Sequence, residues 1–202
     1  MALKLITAPT AEPITLDEAK AHLRVEGTDD DAYITSLIAA ARQSVESLTG
    51  RALMSQAWEL ALDEFPRSCA ADYRSLGRYQ AAIDIPMPPL VSIESIKYVD
   101  TAGVQQTLDD SARQVDDYNA PARVVPAYGT TWPAARCQPN AVLIRFACGY
   151  ASAAAVPQEI KAWMLLRIGM LYENRESVAA GVTLAELPHV DRLLDAYRVW
   201  GA

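Results

Sequence analysis

A chain of 202 residues, 51% of them apolar and 21% charged, can bury a real core in one domain, or in one domain with an insertion. Its formal charge of −7 excludes a protein that grips nucleic acid through a basic surface, though not one that nucleic acid passes by. The 3 cysteines, Cys69, Cys137 and Cys148, lie far apart with no CxxC pattern, which predicts no disulfide framework and a reducing compartment.

Met1 to Ile6 is too short an apolar run for a signal peptide. No stretch approaches the roughly 18 apolar residues of a membrane span. A soluble protein, cytoplasmic when made and without a membrane partner, is expected.

Along the chain the pattern changes twice, from helix to strand and back. Thr15-Leu16-Asp17-Glu18 fits a capping box, with the Thr15 hydroxyl and the Glu18 carboxylate each serving the other's amide. Leu16, Ala19 and Leu23 then share the face of a short helix to about Arg24, and Gly27 ends the segment. Next come three carboxylates in a row, Asp29, Asp30 and Asp31. Thr28 before them is a good N-cap, and the acids would meet the positive end of a helix dipole. A metal site fits worse, because the run lacks the alternating spacing and distal Glu of a calcium loop. Ile34, Leu37, Ile38, Ala41, Val45 and Leu48 recur at helical spacing, and Gly50 is a natural stop.

From Gln56 the period becomes two. Trp58, Leu60 and Leu62 alternate with Ala57, Glu59 and Ala61 as in a half-buried strand. Arg67 to Gln80 reads as a polar loop, and Ile83 and Ile85 as a short strand. Val91 and Ile93 fall on odd positions but Ile96 and Tyr98 on even ones, so a bulge is predicted near Glu94-Ser95. Asp100 to Gly103 looks like a hairpin turn into a strand through Val104, Gln106 and Leu108. Val115 to Tyr118 and Arg123 to Val125 are weaker strand candidates, whereas Val142, Ile144, Phe146 and Cys148 alternate cleanly. A compact antiparallel region of about six strands is expected.

Helix returns at Val156-Pro157, with proline at the first helical position. Ile160, Trp163, Met164, Ile168, Leu171 and Tyr172 make one broad apolar face. Ser177 to Glu186 is small and polar, as in a mobile link. Pro188 opens a last segment whose Val190, Leu193, Leu194, Tyr197 and Trp200 fall roughly at helical spacing. Such a face either folds back on its own domain or docks on a partner.

The fold class implied is α+β: a helical bundle from N- and C-terminal helices with a central antiparallel β insertion. The expected divisions are residues 1–54, 55–150 and 151–202.

Little chemistry is legible. There are 2 histidines, His22 and His189, and neither sits in metal-ligand spacing. No HExxH, GxSxG, GxGxxG or phosphate loop is present. Glu18, Asp63, Glu64 and Asp84 are the carboxylates from which an acid–base pair would have to come. Cys148 alternates with Phe146 and Ile144, so it reads as a small core residue. No catalytic, cofactor or metal residues are assigned.

In order, TLDEAKAHLRV (15–25), PPLVSIESIKYVD (88–100), PAYGTTWPAAR (126–136), RFACGY (145–150), VPQEIK (156–161) and LYENRE (171–176) span most of the chain. Through this ordered set it resembles the head–tail connector, or adaptor, proteins of tailed bacteriophages and of phage-derived gene transfer agents. Met170 stands where that family often has a histidine. The resemblance implies a non-enzymatic ring, usually of twelve copies, between the portal of a DNA-filled head and the next stopper or tail protein. It implies assembly in the host cytoplasm, residence in the neck of the particle, no cofactor, and double-stranded DNA passing through the lumen without specific binding. Twelve copies would carry 12 × −7 = −84 formal charges, so a duplex should slide rather than stick. It also implies that a C-terminal segment, here 187–202, reaches the portal, with Leu193, Leu194, Tyr197 and Trp200 as anchors. The alternatives are a cellular protein-binding module of the same fold and, more remotely, a small carboxylate-dependent hydrolase.

Overall fold

The computed structural model describes residues 1–66, 81–174 and 188–199. The chain is α+β and divides into two compact units. One holds Met1–Ala8 and Gln56–Gly149; the other holds Pro9–Ser55 and Tyr150–Gly201.

In the second unit, α1 (Leu16–Leu23) starts at the capping box read from the sequence. The Thr15 hydroxyl accepts from the Glu18 amide at 3.2 Å, and Glu18 Oε2 accepts from the Thr15 amide at 2.8 Å. That bond to the Thr15 amide holds the Glu18 carboxyl below its ordinary range, against a smaller opposing effect of burial. Arg24 closes the helix in the left-handed conformation.

The long helix α2 (Asp31–Thr49) buries Ile34, Leu37, Ile38, Ala41 and Val45 and stops at Gly50, whose φ of 67° suits a residue without a Cβ. Leu48 departs from the expectation: it lies on the same helix but is 44% exposed. Helix α3 (Gln158–Glu173) buries Ile160, Trp163, Met164 and Ile168. Pro157 is its N-cap rather than its first helical residue. These faces, with Ile14, Leu53 and Leu194, make one apolar core.

The core is crossed by one charged group. Arg42 is 8% exposed, donates to Glu12 at 2.8 Å and to Glu46 at 2.8 Å, and Glu46 in turn accepts from the Leu53 amide at 3.0 Å. The network ties the approach to α1, the middle of α2 and the chain beyond it.

The first unit is built on a five-stranded antiparallel sheet in the order β1-β2-β8-β4-β5. Its strands are β1 (Ala2–Thr7), β2 (Gln56–Leu62), β4 (Leu90–Val99), β5 (Gln105–Thr107) and β8 (Val142–Cys148). Central β8 alternates between buried and half-buried at every position, as its period of two requires. Leu60, Ile144 and Ile96 stand side by side across β2, β8 and β4, all at most 1% exposed, and form the apolar spine. The predicted bulge is present: the β4 register slips between Ile93 and Ser95, and again between Leu90 and Ser92. After β4 the Asp100 carboxylate accepts from the amides of Ala102 and Val104 and from Gln106, which closes the turn. A second sheet has the order β3-β7-β6, formed by β3 (Ile83–Ile85), β6 (Arg113–Asp116) and β7 (Ala122–Pro126).

About six strands were expected in the middle region; the described residues hold seven there, with β1 as an eighth. β1 went unread because its side chains are nearly all exposed. What makes it a strand is pairing with β2, Leu3 opposite Leu60 and Leu5 opposite Trp58.

Candidate functional site

The acidic run resolves into separate structural duties. Asp30, not Thr28, is the N-cap of α2, and no side chain caps the helix there. The Thr28 carbonyl merely accepts from the Asp31 amide. Tertiary partners claim the carboxylates instead: Asp31 takes the Lys20 ammonium at 2.7 Å, and Asp30 accepts from the Tyr172 hydroxyl. The run fastens α1 and α3 to the start of α2. Among the described residues no three His, Cys, Asp or Glu side chains group as a metal site would need.

The four scanned carboxylates do not converge on one task. Glu18 completes its cap, Asp63 accepts from the Asn140 amide at 2.9 Å, and Asp84 stands opposite Arg123 in the β3–β7 register. Glu64 lies at a pocket described below. His22 rests against α3, so that a Cβ at Gly169 would meet its Nε2 at 3.5 Å. Cys148 is buried and Cys137 exposed. Cys69, the side chain of His189 and the end of the LYENRES stretch from Arg175 lie outside the described residues. No helix among the described residues is long and apolar enough to cross a membrane.

The C-terminal segment is short helix α4 (Pro188–Asp191) followed by a 3-10 stretch, Arg192–Tyr197, rather than one continuous helix. Four polar contacts hold it to its own unit. Trp163 Nε1 donates to Asp191 at 2.9 Å, the Val199 amide donates to the Thr49 carbonyl at 2.9 Å, Arg51 donates to the Tyr197 carbonyl, and the Tyr197 hydroxyl donates to Glu159 at 2.9 Å. Of the predicted anchors, Leu194 is 0% exposed within the core, and Leu193 and Tyr197 are half-buried against it. Trp200 lies outside the described residues.

The Tyr197–Glu159 bond gives the segment a pH window. The amide of Glu159 itself and then the Tyr197 hydroxyl hold the Glu159 carboxyl below its ordinary 4.5. Burial first, and Glu159 second, push the Tyr197 phenol above its ordinary 10.0. A depressed carboxyl stabilises the fold above its unfolded value and loses that contribution as pH falls through its folded value; a raised phenol loses its share as pH climbs through its own. Tyr197→Phe is therefore expected to lower the melting temperature between about pH 5 and 9, with the gap to the parent closing on the acid side. Parallel thermal melts across pH check this; a gap constant with pH would contradict it.

Residues 13–98 match the family model of the Phage gp6-like head-tail connector protein. The match covers less than half of the chain. The matched stretch runs from before α1 through α2, β2 and β3 into β4, so it takes in parts of both units. Among solved structures, a chain from the neck of an empty gene transfer agent particle, computed with C6 symmetry, is similar with a TM-score of 0.77. Chains from the virion of the native particle (0.76) and from its neck computed with C12 symmetry (0.75) are similar too. Each is 24% identical, with 100% of this chain and 97% of the other covered. The likeness establishes a shared fold. No curated protein matches.

The chain has one further surface that sequence reading passed over. At PAYGTTWPAAR the structure has a pocket of about 410 Å³ lined by Phe65, Pro66, Pro126, Trp132 and Pro133, among others. Phe65 and Trp132 stack at 5.0 Å with 9° between their planes, and Tyr98 meets Phe65 edge-on at 5.6 Å. Tyr118 and Tyr128 in the nearby turns are 99% and 100% exposed. The available signal was an aromatic inside a run of turn formers, Asp116-Asp117-Tyr118-Asn119, where no burial can explain it.

Proposed function

We propose that this chain is a structural head–tail adaptor of a phage or phage-like particle. Copies form a ring in the neck, between the portal and the next neck or tail protein, and DNA passes through the centre. Its helical unit acts as the bundle and its sheet unit as a β insertion into it. One observation carries the reading: the family match over residues 13–98 falls in a chain whose whole length shares its fold with neck chains of gene transfer agent particles. The work assigned is shape and surface rather than bond-making. The negative charge suits a hole that DNA slides through.

The segment 187–202 is proposed as the portal-docking part. Leu194 would hold it on its own unit, while Leu193 and Tyr197 keep exposed surface for a partner. Trp200 completes the proposed set.

The test is removal. Particles assembled without this chain, viewed by electron microscopy, should accumulate as filled heads and separate tails. Normal joined particles would end the proposal.

A further inference from the structure

We propose that neighbouring copies join head to tail by seating Tyr118 of one copy in the aromatic–proline pocket of the next; this rests on the ring reading above. A closed ring needs two different, mutually complementary faces on every copy. The three-stranded sheet carries such a pair at its two ends. Tyr118 follows β6 in the turn before β7, and the pocket begins at Pro126, the last residue of β7. At roughly 3.3 Å per residue the five residues of β7 separate knob from hole by about 15 Å, so the contact is between molecules.

Both halves are preformed. The Asp116 carboxylate fixes the knob's turn, accepting from the Tyr118 amide at 3.3 Å, from Asn119 at 2.7 Å and from Arg123 at 2.9 Å. The hole is walled by the Phe65–Trp132 stack, and Trp132 is itself anchored by its indole N–H on the Ala81 carbonyl at 2.6 Å. Rigid partners lose little entropy on meeting. A tyrosine ring suits an aromatic and proline lining. The charges agree as well: exposed Asp117 adjoins the knob, and exposed Arg136 follows the pocket residue Ala135.

The experiment measures the assembly state of the full chain by light scattering and electron microscopy, over a concentration series and with portal rings present. Tyr118→Ala should weaken association at least about thirtyfold, and Tyr118→Phe by less, with monomer melting temperatures unchanged. Asp117→Arg and Arg136→Asp should each impair rings, and the double exchange should restore them. If the parent and all variants form rings alike, the contact is wrong while the ring reading stands. The pocket then takes another occupant, such as a different neck protein. If the parent forms no ring under any of these conditions, the ring reading and this contact fail together.

Discussion

Leu194→Ala is expected to destabilise the chain by about 2–5 kcal/mol, a large fraction of the roughly 5–15 kcal/mol that holds a typical domain together. Leu194 is 0% exposed, and its neighbours in the core are the buried faces of α2 and α3. Removing three carbons there loses their transfer free energy and leaves a cavity that two long helices cannot easily close. Leu193→Ala, at a half-buried position, should cost less than half as much. Urea denaturation with an unchanged slope would measure both. The pair separates two jobs for the C-terminal segment. A stable Leu193→Ala chain that no longer joins portals points to docking, whereas a loss confined to Leu194→Ala stability points to core packing. An effect of Leu194→Ala below about 0.5 kcal/mol would mean that the segment does not hold this position in solution.

How much of this was legible depended on whether the deciding interaction was local. The box at Thr15 and Glu18, the stop at Gly50 and the Asp100 turn are made by residues within a few positions of one another, and each formed as read. The β4 bulge was visible too, because a slip of phase moves side chains across the sheet and so leaves its mark on the pattern. Thr28 was misread because its local advantage as a cap, about 1 kcal/mol, competes with the ties of Asp30 and Asp31 to Tyr172 and Lys20, residues remote along the chain. β1 was invisible for the same reason, being defined by its partner strand. Leu48 shows the limit of periodicity, which places a residue on a face without saying how far that face is covered. As for the candidate surfaces, the sequence pointed to the C-terminal apolar residues but not to Tyr118 and its pocket. That pocket draws on stretches distant in sequence, around Phe65, at Ala81 and from Pro126 to Ala135, which only the fold brings together.

Arg42→Met should cost about 3 kcal/mol, toward the lower end of what breaking a buried ion pair costs. The guanidinium lies between two carboxylates, and the methionine would fill its volume without its charge. Glu46, with an 11% exposed side chain, would lose the guanidinium in the core, while Glu12 at 29% would recover some hydration. The penalty therefore comes chiefly from Glu46. This leads to a second, sharper expectation. Adding Glu46→Gln to Arg42→Met should recover a substantial part of the loss, because the amide oxygen can still accept from the Leu53 N–H and the carboxylate that lost the guanidinium no longer carries a charge. Glu46→Leu in the same background should recover less, since the Leu53 amide would then have lost its acceptor. Added salt should change these differences little, as buried charges are poorly screened. Denaturation of these chains, with Glu46→Gln and Glu46→Leu alone to close each mutant cycle, is the measurement. If Arg42→Met were neutral, or if glutamine and leucine rescued it equally, the network would not be bracing the core in the way its geometry implies.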